Sequence, residues 1–133
     1  MQLARFSLVV TILIYLIIGF WCLFAPVQTS SGVDIQLPTV TALVDFRATY
    51  GGMLVGIRIF FIICLKETHI RVGLYLQALS LGGLAFGRVV GLALDGIPKP
   101  LIIYFLVAEI AAVILAMVAL SRLGRTRRPY LTS

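Results

Sequence analysis

The amino-acid sequence predicts an all-α integral membrane protein, a bundle of four transmembrane helices with both termini in the cytoplasm. Hydrophobic residues make up 61% of the 133 residues and charged residues only 12%, a composition outside the range of soluble domains. Four apolar runs are each long enough to cross about 30 Å of hydrocarbon. Basic residues gather on one side of these runs, which sets the orientation.

The four apolar runs cover about residues 6–24, 39–65, 70–94 and 101–123, and the length predicts one domain over residues 1–133. All four should be helices, because open sheets leave unpaired backbone groups in lipid. The first run follows Arg5 as a signal peptide would. Bulky Phe20, Trp21 and Phe24 replace the small residues of a cleavage site, so we interpret the run as a retained helix.

The connections follow from glycine and proline. Residues 25–38 form the longest connection, with residues 29–32 as a flexible core, and Pro38 suits the first turn of the second helix. That helix would be about 40 Å long, so it must tilt or project outwards. Residues 95–100 form a tight turn, after which Pro100 begins the fourth helix and Gly124 ends it.

The positive charge indicates topology rather than a nucleic-acid partner. The formal net charge is +6, and residues 25–44 contain no lysine or arginine. One side of the predicted membrane has only Lys99. The other, which we assign to the cytoplasm, has seven basic residues: Arg5, Lys66, Arg71, Arg122, Arg125, Arg127 and Arg128.

The sequence predicts no disulfide, no metal site and no other cofactor. Cys22 and Cys64 fall near opposite ends of the first two helices, on the order of 25 Å apart in depth. A disulfide needs Cα atoms within about 7 Å. His69 is the lone histidine and has no second ligand near it in the sequence.

Glycines recur at four-residue spacing in two predicted helices. Such spacing lets helix backbones approach closely in lipid. We expect tight packing inside one subunit, with homo-oligomerisation through one glycine face as the alternative. The residues concerned are Gly52, Gly56, Gly83, Gly87 and Gly91.

Five ionisable residues lie within these apolar stretches: Asp45, Arg47, Arg58, Arg88 and Glu109. A charge at the centre of a transmembrane helix costs about 2.5–3.5 kcal/mol, so such residues usually face a bundle interior and pair. Arg88 lies about 9 Å and Glu109 about 12 Å from the same, outer side. We therefore predict an Arg88–Glu109 pair.

The remaining charges complete a predicted outward-facing polar site. Arg47 and Arg58 are eleven residues apart, nearly three whole turns, and should share a face. We predict Arg47, Tyr50, Arg88 and Glu109 as ligand-binding residues, because guanidinium groups bind anionic or carbonyl-bearing head groups. Asp45, Arg58 and Asp95 are predicted to form structural ion pairs, although Arg58 could instead reach the cytoplasmic interface. A purely structural ion-pair lock is the alternative for the whole site.

Several motifs together resemble a known family. They are Asp45-Phe46-Arg47-Ala48-Thr49-Tyr50-Gly51-Gly52, Gly82-Gly83-Leu84-Ala85-Phe86-Gly87-Arg88, Leu94-Asp95-Gly96-Ile97-Pro98, and Glu109. This combination resembles the bacterial membrane family known as domain of unknown function 4345, over nearly the whole chain. The resemblance implies four transmembrane helices in a bacterial inner membrane and no assigned reaction.

Three function classes remain open. The first is a membrane module that binds a lipid or small lipophilic ligand. The second is an accessory subunit of a larger membrane complex, docked through the glycine faces. The third is an enzyme acting on a lipophilic substrate, with Glu109 moving a proton. The sequence offers no nucleophile–base arrangement and no phosphate loop, so no catalytic residue is assigned and the enzyme is disfavoured.

Overall fold

Four long helices run back and forth through the structure, a computed structural model that describes residues 1–125. The helices are α1 (Gln2–Phe24), the short α2 (Pro26–Gly32), α3 (Val40–Phe46), α4 (Met53–Cys64), α5 (Ile70–Leu94) and α6 (Pro100–Arg125). A π-helical segment, Arg47–Gly52, joins α3 to α4, so these pieces form one span, Val40–Cys64. No strand occurs in the described residues.

All four spans are long and apolar enough to cross a membrane, which confirms the predicted multi-pass helical architecture. Large apolar side chains cover the outside of the bundle, among them Phe6, Leu79 and Val107, each more than half exposed. Lipid tails are as apolar as these side chains, so such a surface is stable in a bilayer but not in water. Of the predicted cytoplasmic residues, Arg127 and Arg128 lie outside the described residues.

The two ends of the bundle are each closed by an ion pair. Arg5 Nη2 lies 3.3 Å from Glu67 Oε1, which brings the start of α1 to the turn between α4 and α5. We call this the termini end, because α6 also finishes there. At the opposite end, which we call the loop end, Lys99 Nζ lies 2.5 Å from Asp34 Oδ1.

α1 contacts α4, α5 and α6. The consecutive helices α5 and α6 also pack against each other. The apolar core includes Leu8 of α1, Phe61 of α4, Leu74 of α5 and Ala116 of α6, all fully buried. Ala116 and Ala119 of α6 are buried, and such small side chains let neighbouring helices approach closely. Cys22 and Cys64 are both buried and free.

The connection after α1 is more ordered than its composition indicated. Residues 29–32 were expected to form a flexible core but lie in α2. Thr29, Ser30 and Ser31 each donate a side-chain hydrogen bond to a carbonyl three or four residues earlier, with donor–acceptor distances of 2.7–3.2 Å. Hydroxyl groups that bond locally to backbone can hold such a short turn. Pro26, at the first helical turn, has a fixed φ suited to that position.

The second span begins one residue later than predicted and contains a wide turn. Thr39 is the N-cap, and its hydroxyl accepts a hydrogen bond from Ala42 N at 3.1 Å. In a π-helical segment each hydrogen bond encloses one more residue than in an α-helix. One additional residue rotates the preceding chain by about 100° relative to the following chain. The predicted shared face is therefore wrong: Arg47 is exposed and Arg58 is buried.

The glycines predicted to pack between helices have open space around them. A Cβ added there would meet either nothing within 4 Å or a single atom at 3.8 Å. They are Gly52, Gly56, Gly83, Gly87 and Gly91. Their predicted role in packing within the subunit is therefore wrong, and the homo-oligomer alternative stays a prediction.

Three other glycines make the close contacts. A Cβ on Gly51 would lie 2.6 Å from Leu23 Cγ, and one on Gly73 would lie 2.7 Å from Cys64 Cβ. At Gly19 the nearest atom, on the second span, would be 3.0 Å away. Close approach of α1 to the π-helical segment thus depends on one glycine from each side. The four-residue spacing did not identify these positions, because contact depends on which face meets a neighbour.

Candidate functional site

Arg88 of α5 and Glu109 of α6 form a direct ion pair, Nη1 to Oε1, as predicted. The Glu109 side chain is 1% exposed, and that of Arg88 is 25% exposed. Both residues lie in the half of their helices nearer the loop end, about 9 Å and 14 Å from it at the helical rise. The Arg88 Cζ atom also lies 5.6 Å from the centroid of the Phe105 ring.

Tyr15, on a third helix, α1, contacts this pair. Its hydroxyl donates a hydrogen bond to Glu109 Oε1 at 3.4 Å. The sequence analysis assigned Tyr15 no role in the site. A usable signal was present, because Ser7, Thr11 and Tyr15 recur every four residues and therefore share one face of α1. All three are at least partly buried.

Arg58 is the most unusual residue of the site, because it is only 1% exposed and belongs to none of the ion pairs among residues 1–125. Its Cζ atom lies 4.3 Å from the centroid of the Tyr15 ring and 5.0 Å from that of Phe61. Cation–π contacts of this kind contribute about 2 kcal/mol each when desolvated. Both predictions for Arg58, a structural ion pair and a reach to the interface, are therefore wrong.

A neutral network continues the polar interior towards the termini end. Gln77 is fully buried, and its Nε2 donates to Ser7 Oγ at 2.9 Å and to the Ala112 carbonyl at 3.2 Å. The Ser7 hydroxyl donates back to Gln77 Oε1 at 3.2 Å. Both the nitrogen and the oxygen of the Gln77 amide are therefore hydrogen-bonded, which allows the amide to lie in an apolar core.

The other predicted site residues lie elsewhere. Arg47 is exposed and donates to the carbonyl of Leu23, so it caps the last turn of α1. Leu23 is about 12 Å along α1 from Tyr15. Tyr50 is also exposed, and its ring stacks on Phe46 with centroids 4.8 Å apart. The predicted ligand set is thus split, with only Arg88 and Glu109 inside the bundle.

The predicted ion pairs of Asp45 and Asp95 are absent from the described part of the chain. Both carboxylates are exposed, and neither lies within 4.0 Å of a basic side chain there. Asp45 falls in α3, and Asp95 is the C-cap of α5. Arg47 donates instead to a backbone carbonyl, that of Leu23.

Four side chains from four spans therefore form one buried polar group, which we call the Tyr15 cluster: Tyr15, Arg58, Arg88 and Glu109. Two of its buried atoms, Arg58 Nε and Glu109 Oε2, have no hydrogen-bond partner among the described residues. The cluster offers an unused donor beside a charge and an unused acceptor. Such atoms suit the polar head of a bound molecule.

The same cluster is poorly suited to a metal ion. It contains one carboxylate, already paired with an arginine. No three His, Cys, Asp or Glu side chains come together anywhere in the described residues. The chemistry available is hydrogen bonding to oxygen and nitrogen groups, together with attraction for negative charge.

Comparison with known proteins identifies a family whose model matches most of the chain. The model of the family described as Domain of unknown function (DUF4345) matches residues 3–120. That range contains all four members of the Tyr15 cluster and nearly all of the four spans. No curated protein and no solved structure matches the chain.

Proposed function

The chain belongs to the family of Domain of unknown function (DUF4345), and we propose that it is a membrane module that binds a lipid or small lipophilic ligand. The polar head of the ligand would contact the Tyr15 cluster, and its apolar part would lie between helices or in the surrounding lipid. The single observation that carries the proposal is the buried guanidinium of Arg58, which has no carboxylate partner in residues 1–125.

A buried guanidinium without a counter-ion is unfavourable. Removing a charge from water costs several kcal/mol even after relaxation. The rings of Tyr15 and Phe61 attract the positive charge but supply no oxygen acceptor for its N–H groups. A ligand oxygen would satisfy the Arg58 Nε donor, which the described residues leave without a partner. This requirement favours a binding site over a self-contained structural lock.

The position of the cluster supports access from the membrane. Arg88 is a quarter exposed, so the site reaches the surface of the bundle on the side of α5. The seven-to-one distribution of basic residues in the sequence supports cytoplasmic termini, with the loop end outside. On this orientation Arg88 and Glu109 lie in the outer half of the membrane. We propose a single-domain protein of the bacterial inner membrane, in line with the resemblance of the motifs.

A second function is favoured by the exposed glycines. Gly83 and Gly87 on α5 would each tolerate a Cβ with no atom within 4 Å, and both are exposed. Such a face lets a helix of another subunit approach closely in lipid. An accessory subunit, or a homo-oligomer, is therefore the alternative to the ligand-binding module.

Native mass spectrometry of gently solubilised protein tests both functions, because it reports bound molecules and subunit number together. We expect wild type to carry a bound lipid or metabolite that Arg58→Met loses. The control is Arg5→Gln, which removes an exposed arginine and its pair with Glu67; it should retain the bound molecule. Retention in Arg58→Met, or an empty wild type, would contradict ligand binding. A stable complex with another protein would favour the accessory subunit.

A further inference from the structure

We propose that the ligand head carries one negative charge, an inference that rests on the proposed ligand-binding function. The Tyr15 cluster contains two guanidinium groups, those of Arg58 and Arg88, but one carboxylate, that of Glu109. Arginine keeps its charge inside proteins. One positive charge therefore remains uncompensated, and a monoanion neutralises it.

The uncompensated charge is located on Arg58. Arg88 and Glu109 contact each other directly, so their charges offset locally. Arg58 is 1% exposed, and within residues 1–125 its guanidinium lies against the rings of Tyr15 and Phe61 and forms no ion pair. Water screening is weak at such depth, so an anion near Arg58 is attracted far more strongly than at a surface.

The unused donor of Arg58 specifies the kind of anion. Nε is buried and has no acceptor in the described part of the chain, and the N–H groups of a guanidinium form a planar fork. Carboxylate and phosphate oxygens match this fork and form charge-assisted hydrogen bonds. The unused Oε2 of Glu109 accepts hydrogen bonds, and because Arg88 already offsets its charge, a hydroxyl group or water suffices there. Only the carboxylate carries a single negative charge at pH 7, because a phosphate monoester carries about −1.5 to −2. We therefore assign an acyl chain ending in a carboxylate.

Matched probes of one chain length test the charge. The full chain is placed in nanodiscs of zwitterionic phosphatidylcholine, and palmitate, hexadecyl phosphate, hexadecanol or hexadecylamine is titrated in while the thermal midpoint is measured. A ligand that binds only the folded state raises this midpoint. We expect palmitate to bind about tenfold or more tightly than hexadecanol, and hexadecylamine to give no shift. Hexadecyl phosphate carries about −1.5 to −2 at pH 7, and tighter binding of it than of palmitate would overturn the single negative charge.

Two variants identify the residues responsible. In Arg58→Gln the anion should lose its advantage over hexadecanol, giving a ratio of about one. In Glu109→Gln the cluster gains a second uncompensated positive charge, so the anion preference should rise. If Arg58→Gln fails to fold, the increased anion preference expected of Glu109→Gln still tests the proposal. Arg5→Gln is the control for surface charge and should keep the wild-type ratio.

The outcomes separate this inference from the proposed function. Equal binding of hexadecanol and both anions, lost in Arg58→Gln, would overturn the negative charge while keeping a lipophile site. A Glu109→Gln variant with reduced anion preference would overturn the charge argument as well. Absence of any shift with all four probes would overturn both proposals.

Discussion

The ring of Tyr15 lies against the guanidinium of Arg58, with 4.3 Å between Cζ and the ring centroid. The hydroxyl of the same ring donates to Glu109, so one aromatic residue connects the isolated arginine with the Arg88–Glu109 pair. The two functions of Tyr15, a face for the cation and a donor for the carboxylate, can be separated by mutation.

Tyr15→Phe should lower the free energy of unfolding by about 1 kcal/mol, because it removes one long hydrogen bond and keeps the ring. Tyr15→Ala should cost about 3–5 kcal/mol, since it also removes the cation–π contact and leaves a cavity. Unfolding of both variants in one detergent measures the difference. Equal losses of unfolding free energy in the two variants would mean that the Tyr15 ring does not stabilise the buried Arg58.

The Arg88–Glu109 pair should behave as a unit. Glu109→Gln should cost about 3–5 kcal/mol, because it leaves Arg88 partly buried without its counter-ion. Arg88→Met combined with Glu109→Leu should be milder than either single change, since apolar replacement of a whole buried pair is often near neutral. Thermal unfolding of wild type, the single variants and the double variant tests this prediction. Additive losses of stability would contradict a contact between the two side chains.

The exposed pair at the loop end is the matched control for this cycle. Asp34 and Lys99 are 66% and 52% exposed, and such surface pairs contribute about 0–1 kcal/mol. Asp34→Asn and Lys99→Met should therefore change stability little, alone or together. A large coupling at the loop end would show that exposure does not distinguish the two pairs.

Glycine substitutions should separate contact glycines from open ones. Gly51→Ala should cost about 1–3 kcal/mol, because its Cβ would overlap Leu23 and lie 3.1 Å from the Leu23 backbone nitrogen. Gly56→Ala meets no atom within 4 Å and should stabilise the helix by about 0.5–1 kcal/mol. The free energies of unfolding provide the comparison. A costly Gly56→Ala would reveal a contact with another subunit.

The orientation can be read from thiol labelling. Gln36 lies at the loop end and Thr68 at the termini end, and both are exposed. With a membrane-impermeant maleimide on intact cells, Gln36→Cys should be labelled and Thr68→Cys should not. The native thiols give a low background, because Cys22 and Cys64 are buried. The reverse pattern would overturn the cytoplasmic termini.

Sequence reasoning predicted what depends on position along a helix. The four spans and the Arg88–Glu109 pair follow from apolar length and from depth, which a constant rise per residue converts directly. The predictions that depended on which face of a helix a residue occupies were wrong. The π-helical segment rotated Arg47 away from Arg58, and no residue pattern announced that turn. Tyr15 was overlooked because an aromatic residue carries no formal charge to be balanced.

The order of synthesis matches the order in which the buried charges can be accommodated. Arg58 lies in the second span, and both of its aromatic contacts, Tyr15 and Phe61, belong to the first two spans. The first two spans therefore contain both aromatic contacts of this arginine, and these contacts can form before the rest of the chain is synthesised. Arg88 has to enter the membrane ahead of Glu109, which follows 21 residues later in the fourth span. The final span thus supplies the counter-ion of Arg88 as it inserts, while Arg58 is left without a carboxylate partner among residues 1–125.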